Sequence, residues 1–120
     1  TLIELLIVVI IIGVLASIAL PAFLNQQNKA RVQASNSSVM DSARSCAALQ
    51  VTGETGSYNG TVGVSGTCAS AGTASTFVST ATGLTTVAAA TVTTTGAAQM
   101  ATCAAASGAV PTSAAPNCAY

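Results

Sequence analysis

TLIELLIVVIIIGVLASIALPAFL, Thr1 to Leu24, decides the fold. Glu4 is its one charged residue, and nearly everything else in it is apolar. A helix of this length spans roughly 36 Å at 1.5 Å per residue, enough to cross a hydrocarbon core of about 30 Å. A secretory signal peptide would need a basic n-region and a start methionine. Neither is present, so the chain is expected to be already processed. An ordinary membrane anchor has no need of an acid near its end.

Working outward, polarity changes at Asn25. From there to Gln50 the sequence is polar with an apolar stripe of Val32, Val39, Ala43, Cys46 and Leu49. Steps of seven, four, three and three are helical. Gly53 is a natural stop after Val51 and Thr52. One long helix is therefore expected, hydrophobic all round over 1–24 and amphipathic over 25–52. Its stripe must be buried against residues 53–120, the Ser/Thr/Ala-rich remainder of the chain.

Gly53 to Ser75 is rich in Gly, Ser and Thr and reads as a loop. Three β-leaning runs follow, Thr76–Thr80, Leu84–Thr95 and Ala97–Ala104, punctuated by Thr82-Gly83, Thr95-Gly96 and Ser107-Gly108. They predict a small antiparallel sheet. Ala is a poor strand former, so a helical turn at Ala88–Ala90 is the alternative. The tail from Pro111, with Pro116, is irregular. Low-complexity composition would allow disorder in this half, but a pair of disulfides argues against it. The fold class expected is α+β: a long N-terminal helix packed on a small, disulfide-stapled antiparallel sheet.

Composition restricts function. Only 5% of the 120 residues are charged, against about 25% in soluble domains, and the formal net charge is zero. Ser and Thr supply thirty residues instead. A surface so poor in charge is weakly protected from self-association. It suits a chain packed against copies of itself or covered by sugar. O-linked glycans are expected on Ser and Thr of the globular half, and Asn36-Ser37-Ser38 and Asn59-Gly60-Thr61 are formal N-linked sequons. Lys29, Arg31 and Arg44 are too few and too scattered for a direct nucleic-acid site. With no histidine, and with Glu4, Asp41 and Glu54 far apart in sequence, no acid–base or nucleophile–base pair is evident. No catalytic residue, cofactor or metal is expected.

The four cysteines, Cys46, Cys68, Cys103 and Cys118, include no CxxC pair and have no histidine to complete a zinc site. An even number in a small exported chain implies two disulfides, for which three pairings exist. Cys46 shares a helix face with Val32 and Val39, and Cys68 lies in the loop that can fold back onto that face. Cys103 ends the last β-leaning run, and the prolines can turn Cys118 back toward it. Local pairing, Cys46–Cys68 with Cys103–Cys118, is favoured. The rival pairs Cys46 with Cys118 and Cys68 with Cys103, which would staple the tail directly to the helix.

Three residues of the apolar segment carry chemistry. A carboxylate in a bilayer is costly and usually functional, although Glu4 near a helix N-terminus also gains from the macrodipole and could rest at the headgroups. No Lys or Arg precedes Lys29, so its partner cation is expected to be the α-amino group of an adjacent chain. Pro21 withholds the N–H that would bond the Ser17 carbonyl, and Gly13 costs about 1 kcal/mol against Ala. A mild kink is the plain consequence. The stronger expectation is a helix break between Gly13 and Pro21 once the chain leaves lipid for a filament.

TLIELLIVVIIIGVLASIALPAFLNQQNKAR resembles the N-terminal segment of type IV pilins and their pseudopilin relatives. The likeness covers about the first quarter of the chain: an apolar run with one early Glu, a mid-run Gly and a Pro before the polar helix. It implies cleavage of a basic leader by a prepilin peptidase, N-methylation of the new first residue, and assembly by pilus machinery into a helical filament of identical subunits. It also implies a helix packed on an antiparallel sheet, a disulfide in the C-terminal region, and a melted stretch in the filament. Glu4 lies one position earlier than in the family, so a methylated Phe is expected to precede Thr1. The localisation implied is the bacterial inner membrane before assembly and an extracellular pilus after it. A minor pilin or a secretion-system pseudopilin is the alternative. Major pseudopilins generally lack disulfides and carry an acidic calcium site near the C-terminus, whereas here no acid follows Glu54.

Overall fold

The computed structural model describes residues 1–56 and 58–120. Helix α1 runs from Leu2 to Thr52. Gly53 ends it in the left-handed conformation (φ 80°) and donates its N–H to Leu49 O at 2.9 Å. That geometry suits a residue without a Cβ and satisfies one of the last helical carbonyls. A 51-residue helix is about 76 Å long, close to the 74 Å long axis of the molecule. The radius of gyration is 20.7 Å, against about 14 Å for a compact chain of this size. The excess comes from the first half of α1, which projects free of the rest.

The second half of α1 buries Val32, Ser35, Val39, Ser42, Ala43, Cys46 and Gln50. Four of the five expected stripe residues are among them, but Leu49 is only half-buried. The reason is helical phase. Gln50 lies 18 residues, or five full turns, after Val32, whereas Leu49 lies about 100° off that line. Ser35 and Ser42 complete the buried face. Their small side chains let the sheet approach, and Ser42 is satisfied by Thr61, its Oγ lying 3.0 Å from Thr61 Oγ1 and accepting the Thr61 N–H at 3.1 Å.

The sheet has four antiparallel strands in sequence order: β1 (Val64–Ser65), β2 (Ser75–Ser79), β3 (Ala89–Val92) and β4 (Ala98–Thr102). The short β1 falls inside the segment expected to be a loop. Glycines on both sides of Val64 hid it. The expected Leu84–Thr95 run contracts to β3, with only an isolated bridge between Thr86 and Ala105 before it. Hydroxyl chemistry shortens its far end. Thr93 O accepts the Gly96 N–H at 2.9 Å and Thr93 Oγ1 accepts the Ala97 N–H at 3.2 Å, so a turn replaces the ladder. Ala89 and Ala90 are extended rather than helical, each paired to both neighbouring strands.

Register places Phe77 opposite Ala90, and Ala90 opposite Met100. These three are buried between sheet and helix, while Thr76 and Gln99 face outward and exposed. Alanines supply much of the rest of the core. They bury little area each, but they allow close packing.

Candidate assembly surface

Every residue from Thr1 to Gln27 is exposed, including thirteen Leu, Ile and Val side chains between Leu2 and Ile18. None of the most apolar 18-residue window of α1 is buried, and the helix is long and apolar enough to cross a membrane. This surface cannot rest in water: burying one such side chain is worth about 1.5–3 kcal/mol, and exposed apolar patches of this extent mark membrane or protein contacts. One helix carries both surfaces, apolar all round below and one-sided above, because Asn25 to Arg31 supply the change in polarity. Asn28 Nδ2 donates to Ser107 O at 2.8 Å, which marks where the head begins.

Glu4 lies in the first turn of α1, exposed. Among the described residues the only ion pair joins Asp41 to Arg44, 3.9 Å apart on the helix surface. Glu4 therefore has no cation from its own chain among them. Its carboxylate is favoured there by the unpaired N–H groups of the helix start.

The helix runs unbroken through Gly13 and Pro21. The break expected for a filament is thus not a property of the isolated chain. Ser17 Oγ donates back to Val14 O at 2.7 Å, just before the turn that Pro21 leaves one bond short. A methyl group at Gly13 would meet nothing within 4 Å. The chain's own packing does not require glycine there.

Two disulfides close the head. Cys46 is bonded to Cys68 and Cys103 to Cys118, with Cα–Cα distances of 5.4 and 5.3 Å. This is the local pairing, and no cysteine is free. The first ties the loop before β2 to the buried face of α1, next to Gln50, whose Nε2 donates to Ala69 O at 3.1 Å. The second holds the tail against the end of β4. The tail does return to the helix, as the rival pairing would have made it do, but through hydrogen bonds. Asn36 Oδ1 accepts the Ala104 N–H at 3.0 Å, Asn36 Nδ2 donates to Tyr120 Oη at 2.8 Å, and Tyr120 Oη donates to Ala104 O. Asn36 is thereby committed to structure rather than free as a sequon. Sequence reasoning missed this clamp. Its one signal was an asparagine in mid-helix, where its propensity is poor, one position from the buried face. Asn59, of the second sequon, is exposed.

Among the described residues no three His, Cys, Asp or Glu side chains come together as a metal site. Glu4 and Asp41, 37 residues apart on one helix, are roughly 55 Å apart, and Glu54 lies beyond the helix end. No protein-family model, curated protein or solved structure matched the chain in the comparisons made.

Proposed function

We propose that this chain is the structural subunit of a type IV pilus, held in a membrane by the first half of α1 before assembly and polymerised through the same segment afterwards. The observation that carries the reading is the projecting helix half: 27 residues exposed without exception, joined to a cross-linked head. A segment hydrophobic on all sides suits two successive environments equally, lipid and then a bundle of identical helices. The architecture, a long apolar helix packed on an antiparallel sheet with disulfides, is compatible with a pilin fold. Glu4 gives the bundle its register. An acid with no cation beside it among the described residues is neutralised by the N-terminal amine of a neighbouring copy, and only one axial offset brings the two together. In this reading the chain performs no chemistry. Its partners are copies of itself, the membrane, the prepilin peptidase and the pilus assembly machinery. Two cysteines among the last 18 residues, and no acid after Glu54, favour a pilus over a secretion pseudopilus.

The test combines electron microscopy of purified surface filaments with intact-mass measurement of their subunit. The expected result is a filament built of this chain. Glu4→Ala is expected to leave the subunit in the membrane and to abolish or cripple filaments. Normal filament number in that variant would defeat the role given to Glu4.

A further inference from the structure

Six charged side chains occur in the chain, and their placement is uneven. Asp41 and Arg44 satisfy one another, and Glu4 belongs to the apolar segment. Lys29, Arg31 and Glu54 remain, all exposed and none with an ion-pair partner among the described residues. They sit at opposite ends of the head. Lys29 and Arg31 are at the end nearest the apolar segment, where Asn28 meets Ser107. The Arg31 guanidinium lies over the Thr82-Gly83 turn, so close that a Cβ at Gly83 would be 2.6 Å from Nη1. Glu54 follows the C-cap at the far end, beside a shallow groove lined by Gln50, Val51, Gly72 and Thr94 to Gly96. Val51 on that rim is 88% exposed. Near the cationic rim Val110 is 66% exposed.

We infer that the two rims dock on each other between copies, with Glu54 of one head set against Lys29 and Arg31 of the next. The inference rests on the filament reading above and adds to it a contact between neighbouring globular heads of stated chemistry. Each rim is complementary to the other and not to itself, so the contact is head-to-tail and propagates instead of closing a dimer. Its length also fits. From Lys29 or Arg31 to Thr52 the helix rises roughly 32–35 Å. A shift of that size between parallel copies, a different pair of neighbours from the pair joined through Glu4, sets the upper copy's Leu2–Leu24 beside the lower copy's Asn25–Ala47. There the helix presents its outer face, where Ala30, Ala34, Ser37 and Ser45 are small and exposed. Asp41 and Arg44 on the same face are already paired. One translation therefore brings opposite charges together and covers the apolar segment. In a surface with 5% charge, few other charges compete for these positions.

The experiment compares surface filaments from cells making the full-length chain, Glu54→Lys, Lys29→Glu with Arg31→Glu, and the three substitutions together. Membrane retention and a protease-resistant head are measured in each. Either partial reversal is expected to lower filament mass at least tenfold with the subunit folded and membrane-held. The triple variant is expected to return it to within about twofold of the parent. If Arg31→Glu disturbs the Gly83 turn, Lys29→Glu alone carries the cationic arm. Filaments from Glu54→Lys equal to the parent's would overturn the contact, as would a folded triple variant that fails to recover. Loss of membrane retention on reversing the cations, not repaired by Glu54→Lys, would assign them to phospholipid phosphates and also overturn it. Absence of filaments from the parent chain would instead defeat the filament reading, and this contact with it.

Discussion

The two phenylalanines of this chain should respond very unequally to the same substitution. Phe77 is wholly buried and is the largest fully buried side chain, whereas Phe23 on the projecting helix is 63% exposed. Phe77 lies in β2 under α1, with the Tyr58 ring edge-on at a centroid distance of 6.0 Å. Truncating a buried Phe to Ala costs about 3–5 kcal/mol, depending on how far the site can collapse. Here it can collapse little. Ala90 opposite Phe77 and Ala88 nearby cannot extend into the space. Cys68 is tied to α1, and the Gly66 backbone is already in contact with the strand. The edge-on aromatic pair is lost as well, worth about 0.5–1.5 kcal/mol beyond area. A loss near 4 kcal/mol is expected. A head of about a hundred residues shifts roughly 4–8 °C per kcal/mol, so melting should fall by roughly 16–32 °C. With total stabilities of about 5–15 kcal/mol in such domains, part of the population could already be unfolded at 37 °C. The assay is thermal unfolding of the full chain in detergent micelles, followed by near-ultraviolet circular dichroism of the tyrosines. Phe23→Ala should leave the transition within about 0.5 kcal/mol of the parent. A Phe77→Ala transition within 5 °C of the parent's, or an equal loss in Phe23→Ala, would refute this account of the core.

Gly66→Ala is expected to be destabilising by more than about 1 kcal/mol, because φ is 142° and the new Cβ would lie 2.4 Å from Thr76 O; chemical denaturation measures it, and a neutral result would contradict the close approach. Replacing Cys46 and Cys68 by Ser should cost about 3.4 kcal/mol for a separation of 22 residues, and Cys103 with Cys118 about 3 for 15. Non-reducing peptide mapping of the native chain should show those two linked peptides, and a Cys46–Cys118 peptide would refute the pairing. Asn36→Ala leaves the buried Ala104 N–H without its acceptor, at a cost of about 1–3 kcal/mol. Faster hydrogen exchange at Ala104 and in the tail should report it, and unchanged protection would show that Asn36 does not hold the tail.

Helix α1 was legible in the sequence because its signals are local. Length and hydropathy set the apolar half, a step of three and four residues set the amphipathic half, and Gly53 set the end. Local closure likewise favoured the observed cysteine pairs, since short loops are entropically cheaper to close. Strand limits were less legible. Thr, Ala and Ser have similar, weak preferences, and where β3 stops depends on a hydroxyl in the Thr93–Gly96 turn rather than on an apolar pattern. The exact burial of Gln50 in place of Leu49, the match of Ser42 to Thr61 and the Asn36–Tyr120 clamp join residues 19 to 84 positions apart. Only the tertiary fold decides such pairs, because a buried polar group is tolerated when a partner from elsewhere satisfies it, and no local pattern names that partner. The sequence by itself determined that 24 residues would find no place in a small polar head. The tertiary structure decided how that head, with few large side chains, closes over one face of the helix and leaves the rest of it bare.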